Sequence, residues 1–201
     1  EDVDHVPYSF EDPTPRHIFN MFTGFKSKRV PYKKEDNEWF WKHLLEVCCS
    51  NNEEQYYWKR KFIAQMAQMP CYLPRVIVVI RGNQQSGKDS LIRMLAALFG
   101  EKYVYSTQKM DDIFGGFCPG LKDTMVLQFN EISGGDGTKN YNNLKHISTC
   151  EFHNINSKYE KPYTQRNYLR IFIFSNSLTP LPVDGDDCRT LIIKIHYSKI
   201  G

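Results

Sequence analysis

The chain lacks the marks of a secreted, membrane-spanning or metal-stapled protein. Its six cysteines (Cys48, Cys49, Cys71, Cys118, Cys150 and Cys188) form no Cys-x-x-Cys pair, and no histidine stands at zinc-ligand spacing from two of them. They read as scattered small hydrophobes of a protein kept in a reducing compartment. No apolar run approaches the roughly 20 residues that cross a bilayer, and the acidic, polar start is not a signal peptide. A soluble, intracellular protein with no membrane partner is therefore expected. Charge of one sign is also lacking. Lys and Arg number 26 against 23 Asp and Glu, a net +3, so any case for nucleic acid must rest on local clustering. No internal repeat is visible. Glu1 rather than Met opens the sequence, as in a piece of a longer chain.

What is present suffices for a folded domain. A chain of 201 residues can bury a core without staples. The 14% aromatic content argues against disorder. Residues 1–35, broken by Pro7, Pro13, Pro15 and Pro31, read as irregular, ordered where Ile18, Phe19, Phe22 and Phe25 pack. Phe40, Leu44 and Val47 recur at helical spacing behind Asp36 or Asn37 as N-cap. Trp58, Phe62, Met66 and Met69 mark a second helix from about residue 52, ended by Pro70. This divides the chain into an N-terminal irregular and helical unit, 1–72, and a core, 73–201.

The texture changes at Pro74. Val76-Ile77-Val78-Val79-Ile80 is a β-branched run without alternation, as in a central strand buried on both faces. A glycine-rich turn leads to a helix over Lys88–Phe99 with Leu91, Met94, Leu95 and Leu98 on one face, and Gly100 stands at its end. Further strands are predicted at Met125–Asn130, Leu169–Ser175 and Thr190–His196, with a short helix near Tyr141–Thr149 and a hairpin near Phe152–Tyr168. Alternating strands and helices predict an α/β fold with a central, mainly parallel sheet.

Gly82-Asn83-Gln84-Gln85-Ser86-Gly87-Lys88-Asp89-Ser90 matches a phosphate-binding loop. Strand, glycine loop and helix are the context that gives the match a mechanism. Backbone N–H groups form an anion nest, the helix N-terminus adds a positive dipole, and Lys88 reaches the β- and γ-phosphates. Gly82 and Gly87 let the chain turn closely around phosphate. The position after the lysine, usually a magnesium-ligating hydroxyl, is Asp89, so Asp89 and Ser90 are both candidate Mg²⁺ contacts. Glu131, ending the strand Met125-Val126-Leu127-Gln128-Phe129-Asn130, is the candidate general base; the rival is an ordinary surface Glu. Asn130, a third candidate Mg²⁺ contact, stands where an Asp normally helps hold magnesium; it can coordinate but brings no charge. Asn176, after the strand Ile171–Ser175, fits a polar sensor between γ-phosphate and attacking water. Arg189, preceding the last strand, could act as an arginine finger on a neighbour's nucleotide. Its rival reading is an Arg paired with Asp186 or Asp187.

These elements in this order resemble the superfamily 3 helicases, AAA+-like P-loop ATPases of viruses, phages and plasmids, and in particular the helicase domains attached to primases. The segments Phe19–Phe25, Gln68-Met69-Pro70, Asn156–Pro162 and Asn167–Arg170 join the likeness, which spans nearly the whole chain. The resemblance implies an ATP- and Mg²⁺-dependent 3′-to-5′ translocase on single-stranded DNA. It implies a homo-oligomeric ring, usually a hexamer, with ATP at subunit interfaces and a fused or associated primase. It also implies a hairpin projecting into the pore, with Lys158 the leading DNA contact and Lys161 the second. Local chemistry agrees, since Lys158, Lys161, Arg166 and Arg170 face one acid, Glu160, and Tyr159 and Tyr163 could stack on bases. Two other readings stay open. One is a nucleotide-gated DNA-binding scaffold with weak or no hydrolysis. The other is a small nucleotide kinase, which the missing arginine-rich lid and the basic hairpin disfavour.

Overall fold

The computed structural model describes residues 2–7, 18–28, 31, 33–83 and 86–195. Gln84 and Gln85 of the glycine loop, the side chains of Ile18 and Phe19, and His196 at the predicted end of the last strand lie outside that description. A parallel pair, β1 (Asp2–Asp4) and β2 (Ile18–Asn20), comes first. The α1 helix (Lys34–His43) runs directly into a π-helical turn, Leu44–Cys48, and α2 spans Glu53–Gln68. Then come β3 (Ile77–Arg81), α3 (Lys88–Phe99), β4 (Val104–Thr107), α4 (Asp111–Phe114), β5 (Val126–Phe129) and α5 (Gly134–Thr149). The chain continues through β6 (Phe152–Ile155), β7 (Tyr163–Arg166), β8 (Arg170–Ser175) and β9 (Thr190–Lys194).

Five of these strands form one sheet in the order β4-β5-β8-β3-β9, every pair parallel. Period-two side-chain direction sorts its residues onto two faces. Val78, Ile80, Phe172 and Phe174 pack with Leu44 and Cys48 of the π turn, with Phe62 and Met66 of α2, and with Leu91 and Leu95 of α3. Ile77, Val79, Leu127, Phe129, Ile171 and Ile173 pack on the other side with Ile113 of α4 and Tyr141, Leu144 and Ile147 of α5. Burial on both faces explains the unbroken β-branched run of β3 and the apolar stretch Ile171–Phe174 of β8. The architecture is therefore α/β, a parallel sheet flanked by helices, with a helical segment preceding its first strand.

Several local expectations shift. The α1 helix begins at Lys34 behind Lys33, which makes no side-chain cap. Asn37 is already inside the first turn and donates back to the Lys33 carbonyl at 3.1 Å, so neither Asp36 nor Asn37 caps. Asn52 does cap α2, accepting from Gln55 N at 2.9 Å. The buried stripe of α3 also takes in Ile92 and Phe99, while Met94 and Leu98 are only half-buried. The α5 helix starts seven residues before Tyr141, capped by Ser133, whose hydroxyl accepts from Asp136 N. The edge strand β4 adds to the strands that the sequence pattern predicts. Near the N-terminus, Lys26 N and Ser27 N donate to Phe99 O and Leu98 O, so this irregular segment satisfies the last carbonyls of α3. No helix among the described residues is long and apolar enough to cross a membrane.

Candidate functional site

The C-terminal ends of β3, β5 and β8 converge on a cleft of about 400 Å³ lined by Lys88, Asp89, Gln108, Asn130, Glu131, Ser175 and Asn176. It opens where strand order reverses. From β3 the chain crosses to β4 and β5 on one side, while β9 lies on the other, and open parallel sheets bind ligands at such switch points.

The glycine loop forms one wall. Gly87 N-caps α3 at φ +79°, a left-handed conformation that side chains disfavour, and a Cβ there would lie 2.9 Å from Val47 Cγ1 of the π turn. A Cβ on Gly82 would lie 2.9 Å from Ser86 Oγ and 3.3 Å from Ile195 Cβ. Among the described residues the Ser86 hydroxyl is buried without a hydrogen-bond partner, which a bound anion would supply. Together with the N-terminus of the twelve-residue α3, these features make a cradle for an oxyanion. Lys88 Nζ spans its mouth, donating to Gly82 O at 2.8 Å, Asn83 O at 2.9 Å and Asn176 Oδ1 at 2.8 Å. Burial lowers the Lys88 pKa, and the charges of Asp89 and Glu131 oppose that shift.

Glu131 is exposed on the far wall at φ +55°, a rare conformation for a non-glycine residue, costing about 1–3 kcal/mol. It is pinned from the next residue: Ile132 N donates to Phe174 O at 3.3 Å, and buried Ser175 Oγ donates to Ile132 O at 2.7 Å. Between the walls lies Gln128, a buried residue that sequence pattern alone does not mark as part of a site. Its amide nitrogen donates to Asn130 Oδ1 at 2.7 Å and Asp89 Oδ1 at 3.4 Å, while its oxygen accepts from Ser106 Oγ of β4 at 2.6 Å. Gln128 thus ties together the two residues that depart from the usual metal-holding pattern.

Ser90 is oriented elsewhere. Its hydroxyl donates to the Gly87 carbonyl and lies 2.8 Å from His43 Nε2 at the end of α1, and it does not line the cleft. The single hydroxyl proton is thereby used, which leaves His43 Nε2 as the donor in that contact. Among the described residues, no cluster of three or more His, Cys, Asp or Glu could hold a metal. The oxygens of Asp89 and Asn130 nevertheless suit Mg²⁺, a hard cation that takes few protein ligands and keeps water or phosphate in the rest of its shell.

Arg189 lies away from this cleft. Its neighbour Thr190 pairs with Ile77 at the start of β3, so Arg189 sits at the opposite end of the sheet, roughly five residues or ~16 Å along the strand. It is paired with Asp187, as the rival reading supposes: Arg189 Nε donates to Asp187 Oδ1 at 3.1 Å. Arg189 therefore does not line this cleft.

The β6–β7 hairpin also stands at that opposite end, rooted where β7 turns into β8. Asn167 Nδ2 donates to Ile147 O and Cys150 O, bolting the hairpin base to the end of α5. Lys158, Tyr159 and Lys161 lie at the exposed tip, and Arg166 is exposed at the end of β7. Phe117, from the loop after α4, comes beside them with its ring 6.0 Å from Lys158 Nζ, and Phe152 and Tyr163 add exposed aromatic surface. Nothing in the sequence links Phe117 to the hairpin. Arg170 does not belong to this basic surface. It is fully buried, donating to Pro70 O, Tyr168 O and Tyr72 O at 2.6–2.9 Å and fastening the end of α2 to the sheet. Burial pushes its pKa down to about 10.

Two solved structures of the C-terminal region of NrS-1 (305–718) are similar to this chain. The A-form apo structure matches at a TM-score of 0.79 and 22% identity, covering 97% of this chain and 47% of that one. A second apo structure matches at 0.81 and 22% identity, covering 96% and 47%. At such identity the likeness shows a shared fold, and the present chain spans about half the length of those structures. No curated protein is significantly similar. A family model matches residues 80–190, more than half of the chain and the whole stretch from the end of β3 to the start of β9. By that match the chain belongs to DUF5906, a family of unknown function.

Proposed function

We propose that this chain is the ATP-hydrolysing motor of a DNA replication protein, a superfamily 3 type helicase built on an AAA+-like P-loop core. It acts on single-stranded DNA as a homo-oligomeric ring. One observation carries the reading: Lys88 at the start of α3, Glu131 just after β5 and Asn176 just after β8 face one cleft at the mouth of an anion cradle.

In this reading the backbone of Gly82–Lys88 and the N-terminus of α3 bind the triphosphate, and Lys88 neutralises its β- and γ-oxygens. Mg²⁺, held by Asp89 and Asn130, supplies further positive charge to those oxygens when bound. Asn176, already in contact with Lys88, orients the attacking water against the γ-phosphate, and a Glu131 carboxylate oxygen accepts its proton. Arg189 serves the cleft of the next subunit, and Lys158, Lys161, Tyr159 and Arg166 contact the strand in the ring's pore. The α5 helix connects the two ends, running from just after Glu131 to the hairpin base, about 24 Å at 1.5 Å per residue.

ATP turnover measured with and without single-stranded DNA tests the reading. DNA should stimulate turnover, Glu131→Gln should lower it about 10²–10⁴-fold, and Lys88→Ala should abolish it. Turnover indifferent to both substitutions would sink the proposal. The scaffold alternative draws on Asn130, which is uncharged and already accepts from Gln128, and on Ser90, which is engaged with His43. It predicts nucleotide binding without turnover.

A further inference from the structure

Asp187 sits in a surface turn, yet its side chain is only 2% exposed. Its carboxylate accepts from Arg189 N at 2.9 Å, Arg189 Nε at 3.1 Å, Thr190 Oγ1 at 3.4 Å and the Tyr141 hydroxyl, with Lys145 Nζ at 4.0 Å. Burial works against its charged form. The bonds from Tyr141 and Arg189, and the guanidinium's charge, outweigh that and hold the carboxyl at about 2. Burial and the bond to Asp187 push the Tyr141 hydroxyl up to about 12, so both groups keep their protonation states across the physiological range.

Two features of this cluster go beyond a plain ion pair. Asp187 takes only the inner nitrogen of Arg189, and among the described residues no group bonds Nη1 or Nη2. A guanidinium held by Nε alone keeps its terminal fork for an external anion, the geometry that bidentate phosphate recognition uses. The other donors, Tyr141 and Lys145, stand four residues apart on one face of α5, with Lys145 Nζ 4.0 Å from the Tyr141 ring centroid. That helix begins three residues after Glu131.

We infer that Asp187 is a positioning residue for Arg189: it aims the guanidinium fork outward toward a neighbouring copy's triphosphate and, through Tyr141, fastens it to the helix that starts at its own subunit's cleft. This rests on the reading of Arg189 as an arginine finger acting on the next subunit. A finger fixed in this way would report the state of one cleft to the next, because both are anchored on α5. Misplacing a catalytic group by about 1 Å can cost 10²-fold. Asp187→Asn should therefore lower DNA-stimulated kcat by roughly 10–100-fold with little change in KM.

The test is a double-mutant cycle in the full chain, supplemented by mixed assemblies. Asp187→Asn should add no further loss to Arg189→Ala. Asp187→Asn subunits should regain turnover when mixed with Glu131→Gln subunits, whose own clefts are dead but whose fingers are intact. Tyr141→Phe, which keeps the carboxylate, should lower kcat in the same direction and serves if Asp187→Asn fails to fold. An Asp187→Asn protein with unaltered kcat, losses that multiply, or no rescue in mixed assemblies overturns the positioning role while leaving the finger in place. An Arg189→Ala protein with full turnover removes the finger itself, and this inference with it.

Discussion

Arg170 and Lys158 both fall in the basic stretch around the hairpin, and their surroundings give them opposite roles. Lys158 is exposed at the tip beside Phe117, whereas Arg170 is sealed among carbonyl oxygens at the end of α2. Arg170→Ala should cost about 3 kcal/mol or more, because it empties a buried site and strands several acceptors. Urea unfolding would show the loss. At Gly87, substitution by Ala meets a left-handed backbone and the Val47 methyl at once. A cost of about 1–2 kcal/mol is expected, with weakened nucleotide affinity by fluorescence titration. Residue identity alone does not separate the two cations. Burial of Arg170 follows from where Pro70 and Tyr72 end up, which is tertiary information. The glycine loop is legible because its chemistry is local: a strand, two glycines, a lysine and a helix in sequence.

At the scale of elements, the buried strands are the most readable part, since β3 and β8 announce themselves by continuous apolar runs and β5 by a run that only Gln128 interrupts. The β4 strand does not. It is four residues long at the sheet edge, and Tyr105-Ser106-Thr107 gives it no apolar period. With β4 unreadable, Ser106 and, through it, the role of Gln128 stay hidden as well. The first turns of α5 are masked by Gly134, Gly135 and Gly137, which read as loop. Close contact explains Gly137, where a Cβ would collide with the Pro180 carbonyl. The helix nonetheless starts there because Ser133 caps it. Ser133→Ala should lower stability by about 1 kcal/mol, seen as a lower thermal midpoint. It should also reduce turnover more than an equally destabilising change elsewhere, because Glu131 sits just before the cap.

For the molecule as a whole, two responses to solution conditions follow. His153 is buried at the hairpin base, beside Asn167. Burial pushes its pKa down to about 4 from 6.5, with Asn167 opposing. Between those values the unfolded chain binds the proton and the folded one does not, so stability is full above about pH 6.5 and falls as pH drops toward 4. Thermal melts across that window should show the decline, and His153→Leu should flatten most of it. Under the proposed reading, binding to single-stranded DNA should weaken with salt. Lys158→Glu should lower affinity and reduce the slope of log K against log salt by about 0.7 for each phosphate no longer neutralised. An unaltered slope would take Lys158 out of the interface.

The order of strands has a further consequence for how the molecule comes into being. The middle strand of the sheet is β8, and it is made from residues 170–175, after every other strand of the sheet except β9. Until it is supplied, β3 and β5 have no partner between them, and Lys88, Glu131 and Asn176 cannot face one another. Pairings this distant in sequence close slowly. A chain interrupted before residue 170 would hold all of Gly82–Ser90 and still have no cleft, so under the proposed reading nucleotide should stabilise only a chain that already includes β8.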